Sequence, residues 1–494
     1  MNRTAFFRTG ISVIPIAVLV ILLAFNVYIF GSDAILGASQ VALLFASGIC
    51  IWLAMRFFRT PWKAFEEALR SNMGDITGAI VILFFIGAIS GTWVMSGIIP
   101  TLVYYGVRVI APKVFLLTAC IICAVVSVMI GSSWTTIATV GVALLGIGRA
   151  EGFSDGMIAG AIISGAYFGD KISPLSDTTV MASSISGTPL FEHIRYMFYT
   201  TVPSMVITVI VFTVLGLVHG DGDAVRITAY SEALASRYNI SLWLMIVPLV
   251  TAFMIIRKTP ALIVLGISVM LAAVAAVIFQ PDVILEIGRG AAEAHGMAHV
   301  MPQWQLSLTG IIETVYNSVS LDTGNLEVNK LVASRGMLGM LNTVYLVICA
   351  MCFGGCMRAS GMLDNIARLL LPLTRTRTGL VAATVGTGTV LNGVISDQYL
   401  AIIMTSNIYK DIFESNGYEN RLLSRSVEDS ATVTSPLYPW SSCGMTQATI
   451  LGVPTLVYFP YCIFNLCSPI VSITVAAIGY KIVRRGDGKA CREA

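Results

Sequence analysis

Asp170 and Asp177 stand seven residues apart in AYFGDKISPLSDTT (166–179), a stretch that also holds Lys171, Pro174 and the hydroxyls of Ser173, Ser176, Thr178 and Thr179. Apolar runs of membrane-spanning length flank it on both sides. A carboxylate at that depth costs several kcal/mol unless it is neutralised or paired, so such a residue is a candidate for function. A low-dielectric setting favours the neutral acid, which lets an aspartate trade a proton for a cation. Lys171 could pair with one of the two aspartates, and the hydroxyl oxygens suit a weakly held monovalent cation. A bland reading stands beside this one for Ser176 and Asp177: either could cap the helix that follows. For Asp177 capping and coordination are compatible.

The pattern returns in VEDSATVTSPLYPW (427–440). Here Asp429 is the leading carboxylate, with Ser430, Thr432, Thr434 and Ser435 around a second break at Pro436, and Trp440 reads as packing. Proline lacks an N–H and disfavours helix just before itself, so Pro174 and Pro436, with Gly169 loosening the first approach, are expected to interrupt their spans. Free carbonyls at one stub and free N–H groups at the next can then bind ions. Two more polar interruptions, GSSWTT (131–136, with Ser132, Ser133, Thr135 and Thr136) and NGVISDQ (392–398, with Asn392 and Asp397), read as breaks or re-entrant tips facing these sites. Asp397 aligns with Thr135; proton or cation handling and a cytoplasmic turn fit it equally. Asp170 and Asp429 are expected to meet in one pocket halfway through the bilayer.

The rest of the chain must position these groups. Of its 494 residues 56% are apolar and 12% charged, with a mean hydropathy of +0.83. Soluble domains carry about 25% charged residues, so this chain lacks the charge to cover a water-facing surface. It reads as all-α and polytopic, with ten to thirteen helical segments. The net charge of +3 is spread over segment ends and gives no sign of nucleic-acid binding. The apolar run from Ile11 to Phe30 is too long for a signal peptide and reads as a retained first span. Cys120-x-x-Cys123 and Cys349-x-x-Cys352-x-x-x-Cys356 fall inside apolar spans, and His295 and His299 between spans, so neither set argues for a metal site or other cofactor. Glu151 and Asp155 sit in a polar GRAEGFSDG loop and are expected to be solvated.

The chain repeats itself. SPL at 173–175 recurs at 435–437, Gly131 is matched by Gly393, Ser96-Gly97 by Ser360-Gly361, and Gly187 by Gly452, all at offsets of 262 to 265 residues. This divides the chain into halves at 1–220 and 241–485, joined by an external linker at 221–240 and followed by a tail at 486–494. Arg3, Arg8, Arg56, Arg59, Lys63 and Arg70 bracket the first apolar hairpin, whereas Arg257 and Lys258 lie at the tip of the second. The basic side has moved from the hairpin's ends to its tip, which predicts halves of inverted topology with both termini cytoplasmic. Inverted halves with broken spans are a signature of secondary transporters.

At GAYFGDKISPLSDTT (165–179), EDSATVTSPLYPW (428–440) and GVPTLVYFPY (452–461) the sequence resembles the NhaC-type sodium/proton antiporter family over nearly its whole length. The resemblance implies driven exchange of Na⁺ for H⁺ across the bacterial cytoplasmic membrane, and it carries ion-handling roles to Asp170, Ser173, Asp177, Asp429 and Ser435. Relatives that exchange sodium–malate for proton–lactate make a small organic acid the alternative cargo, with Lys171, or an arginine brought close by the fold, to assist it. The chain departs from the family pattern at Val180 and at Ser441-Ser442, where amide side chains are common. Expected partners are therefore Na⁺, H⁺ and the lipid bilayer, with a homodimer compatible with this class. A channel lacks support, since no filter motif repeats. An enzyme lacks it too: no zinc pair, serine–base arrangement or phosphate loop is present.

Overall fold

The computed structural model describes residues 3–30, 37–219, 224–257, 259–325, 328–329, 332–367 and 374–482. Residues 221–223 of the expected linker, Lys258 and the tail 486–494 lie outside these described residues. Helix dominates because a bilayer offers no partner to a free N–H or C=O. Seven described helices are long and apolar enough to cross a membrane, and three bent pairs raise the count to ten if each is one span. Among the described residues no strand forms; one isolated bridge pairs Val319 with Ser334 in the polar insert.

Burial separates rim from core. The apolar windows of Phe7–Phe30 and Leu190–His219 are 18% and 28% buried, against 72% for Leu338–Ala359 and 61% for Arg377–Ile395. The first pair presents Ile21, Phe25, Ile210 and Val214 outward, where lipid would cover them. The second pair forms the scaffold behind the polar segments. The amphipathic stretch from Trp62 is continuous with the span after it, in one helix Trp62–Met95.

Asp155–Ile172 packs backbone to backbone against Phe115–Ile130. A Cβ on Gly165 would stand 2.1 Å from the Cys120 carbonyl oxygen, and one on Gly169 2.4 Å from that of Ala124. The Ser127 hydroxyl donates to the Ala166 carbonyl at 2.6 Å across the same seam. Gly169 therefore sits inside a continuous helix and serves close approach; it does not loosen a turn as expected. The break comes afterwards, at Ser173–Ser176, before the helix Asp177–Ser186.

Elements recur in the same order in the two halves. Gly97 (φ +82°) and Gly361 (φ +67°) each hinge a pair of helices. Phe115–Ile130 and Arg377–Ile395 each end in a left-handed residue, Gly131 and Ser396, and the chain turns back on itself there. Ser132 and Asp397 then cap the returning helices, accepting from Thr135 N at 3.3 Å and Leu400 N at 2.9 Å. The structural partner of Gly131 is thus Ser396 rather than Gly393, and that of Asp397 is Ser132 rather than Thr135. Three extra residues after the second SPL carry Ser441 and Gly452 to the positions of Ser176 and Gly187. The second half differs in one further respect: Asn420–Val427 runs into a π-turn, Glu428–Thr432, where Asp155–Ile172 is regular helix.

Candidate functional site

A cavity of about 690 Å³ lies where the two returning hairpins meet the two SPL breaks. Four helix N-termini reach it. Ser132, Ser133, Trp134 and Thr135 come from one tip and Asp397, Gln398 and Tyr399 from the other; Asp177 and Thr178 follow the first break, Ser442 and Cys443 the second. Each hairpin turns sharply, and each break is held by proline, so these starts are fixed by local sequence.

Asp170 closes the gap between one tip and one break. One carboxylate oxygen accepts from the Ser133 backbone N–H at 3.2 Å and the Ser133 hydroxyl at 2.7 Å; the other accepts from the Ser176 hydroxyl at 2.7 Å. Ser176 occupies the N-cap position of Asp177–Ser186 but makes no capping bond, because its hydroxyl serves Asp170 and meets that of Thr178 at 2.9 Å. The expected capping by Ser176 is therefore absent. Thr179 bridges back to the carbonyls of Asp170 and Lys171 at 3.3 and 3.0 Å. Asp177 and Asp397 complete a set of three carboxylates on the cavity wall. No lysine, arginine or histidine lines it among the described residues. Helix N-termini carry a partial positive charge that offsets nearby carboxylates and holds them in place.

The other expected residues sit behind the wall. Ser173 donates to the Val128 carbonyl at 2.7 Å. Asn392 donates to the Ala431 carbonyl and the Thr434 hydroxyl at 2.6 and 2.9 Å. Ser430 and Thr434 bond back to carbonyls a turn earlier, Thr136 does the same to Ser132, and Ser435 donates to Gln398 at 3.0 Å. These groups satisfy the irregular backbone at Pro174 and Pro436. Trp440 donates to the Gly393 carbonyl at 2.7 Å and packs on Tyr438.

Asp429 is not on the cavity wall. It is fully buried and paired with Lys171, and it also accepts from Thr200 at 2.9 Å. The expected meeting of Asp170 and Asp429 in one pocket is replaced by a different arrangement. Asp170 faces the cavity, while Lys171, which joins neither Asp170 nor Asp177, turns to Asp429 and Ser468. The residues around that pair were not anticipated: Arg425, Glu428, His193 and Thr200 are each fully buried. The i, i+4 spacing of Arg421, Arg425 and Asp429 was the available signal. Gln398 and Tyr399 were passed over as well.

A second cavity of about 410 Å³ lies further along the same elements, lined by Ile86, Ser90, Ala138, Arg149, Arg335 and Thr449 among others. An apolar cluster separates the two: Leu83, on the wall of the first, packs with Val344 and with Met340, on the wall of the second. The loop beside it corrects another expectation. Asp155 forms a two-bond pair with Arg149 at 2.7 and 3.0 Å, and Glu151 is only 1% exposed. Burial pushes the Glu151 carboxyl up to about 8.

Interrupted helices around an acidic cavity, in a multi-pass apolar bundle, define a membrane transport protein. The chain belongs to the Na⁺/H⁺ antiporter family, whose model matches residues 165–480. It is 33% identical to the Na⁺/H⁺ antiporter NhaC of Alkalihalophilus pseudofirmus over 87% of this chain and 89% of that one. It is also 33% identical to the malate-2H⁺/Na⁺-lactate antiporter of Bacillus subtilis, over 91% and 89% of the two chains. The arginine/ornithine antiporter ArcD of Halobacterium salinarum matches at 33% over 98% and 95%.

Proposed function

We propose that this protein exchanges Na⁺ for H⁺ across the bacterial cytoplasmic membrane, with Asp170 as the central cation ligand and Asp177 and Asp397 beside it. The convergence of three carboxylates on four helix N-termini, with no basic side chain on the described wall, carries this reading. Each N-terminus contributes about half a positive charge. Four of them against three carboxylates leave about one negative charge, which matches one monovalent cation or one proton. A divalent ion would leave excess positive charge.

The two halves, 1–220 and 241–485, act as inverted repeats that rock about the cavity, with both termini cytoplasmic. Two cavities separated by the Leu83–Met340–Val344 layer support alternating access. The larger reaches Thr259, beside the basic hairpin tip at Arg257, so it opens toward the cytoplasm by the positive-inside rule.

One observation favours a second reading. A volume of about 690 Å³ is far more than a bare ion fills and falls in the range of small-molecule sites. An organic cargo moving with or against Na⁺ would use that space. The acidic wall suits a cationic cargo, as the name of the arginine/ornithine relative suggests, better than the organic acid of the malate/lactate relative.

Everted vesicles separate the readings. NaCl added to a respiring preparation should collapse the pH gradient on its own. A collapse that requires arginine, ornithine, malate or lactate would replace sodium–proton exchange with the second reading.

A further inference from the structure

Two rows of polar side chains leave the Lys171–Asp429 pair on the side away from the cavity. Arg421, Arg425 and Asp429 follow one another at every fourth residue, across about 12 Å of helix. Tyr196 and Thr200 face them from Leu190–His219: the guanidinium groups of Arg421 and Arg425 lie 5.0 and 4.8 Å from the Tyr196 ring centre, and Thr200 bonds Asp429. The second row holds Ser424, Glu428 and Thr432, with His193 Nδ1 hydrogen-bonded to the Ser424 hydroxyl at 2.8 Å. The outer end is wet: Arg421 is partly exposed and pairs with Glu192 at 3.3 Å and with Glu419. From Arg425 and His193 inward, every member is fully buried.

Pairing inside the stripe is incomplete. Arg425 comes no closer than an ion-pair contact of 3.8 Å to Asp429. Its three guanidinium nitrogens, Oδ2 of Asp429 and Nε2 of His193 have no hydrogen-bond partner, and the Glu428 carboxyl has only the Thr432 hydroxyl near it. Leaving one such group unsatisfied costs about 1–3 kcal/mol, and more for a charged one. A clasp needed only for packing would do better with apolar side chains of the same volume. Vacant acceptors in a row are, however, what a proton relay requires: Glu428, Asp429 Oδ2 and His193 Nε2 can each take a proton without first losing a bond, while the Arg425 guanidinium, a donor only, stays charged. The π-turn Glu428–Thr432 sets the register of these groups, and such turns recur at functional sites.

We propose that this stripe is a proton path separate from the cation cavity. It is entered at the Glu192–Arg421 rim and relayed through His193 and Glu428 to Asp429. A proton from water ends on a carboxylate oxygen, and only O–H and N–H bonds form or break on the way. The inference rests on the sodium–proton reading and assigns the two ions to different faces of Asp155–Ile172. Coupling follows from sequence adjacency. A proton on Asp429 removes the anion that balances Lys171, and the ammonium then disfavours Na⁺ at the neighbouring Asp170. Na⁺ at Asp170 in turn favours proton release from Asp429. Competition then needs no shared oxygen.

The charged groups around Glu428 are Lys171 and Asp170 from Asp155–Ile172 and Asp429 on its own segment; around Asp429 stand Arg425 and, from Leu190–His219, His193. Asp177–Ser186 adds Asp177, on the cavity side. From Gln398–Ser415, Tyr409 is spent on Thr387 and Ala383, and Lys410 reaches the Ile185 carbonyl. Ile463–Ile478 contributes the Ser468 hydroxyl to the Lys171 pair.

The test uses the purified full chain in proteoliposomes and two modes of radioactive sodium flux. Uptake driven by a pH gradient needs proton transfer, whereas Na⁺/Na⁺ exchange at equal pH does not. Glu428→Gln should lower the first about 100-fold while leaving the second within about twofold, and Glu428→Asp should restore the first. Retention of gradient-driven uptake in Glu428→Gln overturns the path. Loss of both modes in a protein that elutes normally overturns it too, because the stripe would then serve the cation site. Should Glu428→Gln fail to fold, His193→Gln decides by the same criterion. A wild type that moves no sodium refutes the sodium–proton reading, and the path with it.

Discussion

Asp170 and Lys171 are consecutive residues of one helix whose side chains answer to different surroundings. The Asp170 carboxylate is held on the cavity wall by Ser133 and Ser176, while the Lys171 ammonium is sealed against Asp429 and Ser468 on the other side. Consecutive helical positions diverge by about 100°. A single helix therefore separates a cavity-lining carboxylate from a buried ion pair while keeping the two within Coulombic reach. At an effective dielectric constant near 20, charges a few ångströms apart still interact by about 4 kcal/mol.

Asp170→Asn should abolish exchange while the amount of protein in the membrane is unchanged, because asparagine keeps the shape and removes the charge. Ser133→Ala removes one hydrogen bond to that charge, a change of about 1.5–3 kcal/mol. Its half-saturating Na⁺ concentration should rise about tenfold or more, with the maximal rate less affected. Sodium titrations of flux in proteoliposomes measure both, and wild-type kinetics in either variant would remove Asp170 from the cation site.

Asp397 has two separable jobs. Its side chain caps Gln398–Ser415 through Leu400 N, and it also lines the cavity. Asparagine caps a helix as well as aspartate does. Asp397→Asn should therefore keep wild-type thermal stability but weaken sodium affinity, whereas Asp397→Ala should also lose about 1 kcal/mol of stability. Unaltered flux in Asp397→Asn would reduce the residue to a cap.

Hydropathy and the repeat made the bundle, the breaks and their order legible, because bilayer chemistry writes length and polarity directly into the chain. The cluster of Ser133, Asp170 and Ser176 was readable for the same reason. The separate placement of Asp170 and Asp429 was not. It depends on which way each side chain turns from its helix, and the π-turn at 428–432 shifts that phase in the second half alone. Glu151 was misjudged because a polar loop reads as solvated even where Phe153 and His219 stack beside it at 3.8 Å.

Glu151 gives a pH dependence. Its carboxyl lies in the loop before Asp155–Ile172, raised from 4.5 to about 8 by burial. Between these two values the folded protein holds a proton that the unfolded chain releases, so stability should fall as pH rises through that window. Glu151→Gln stays neutral throughout and should flatten the profile, with a higher melting temperature than wild type at pH 8. Parallel profiles for the two proteins, from melts in detergent at several pH values, would show that the buried carboxyl carries no such linkage.

Solvent access separates the wall from the groups behind it. Leu175 and Ser435 both belong to SPL breaks, but Leu175 lines the cavity whereas Ser435 is buried and bonded to Gln398. With the native cavity thiol Cys443 replaced by alanine, Leu175→Cys should react with a small charged methanethiosulfonate applied from the cytoplasmic side, and Na⁺ should slow the reaction. Ser435→Cys should stay unmodified under the same conditions. The two positions correspond through the repeat apart from a two-residue shift, so any difference in rate reports the cavity's shape rather than depth in the bilayer. Equal labelling of both would mean that water reaches past the Gln398 layer, and the cavity wall would have to be redrawn around Ser435.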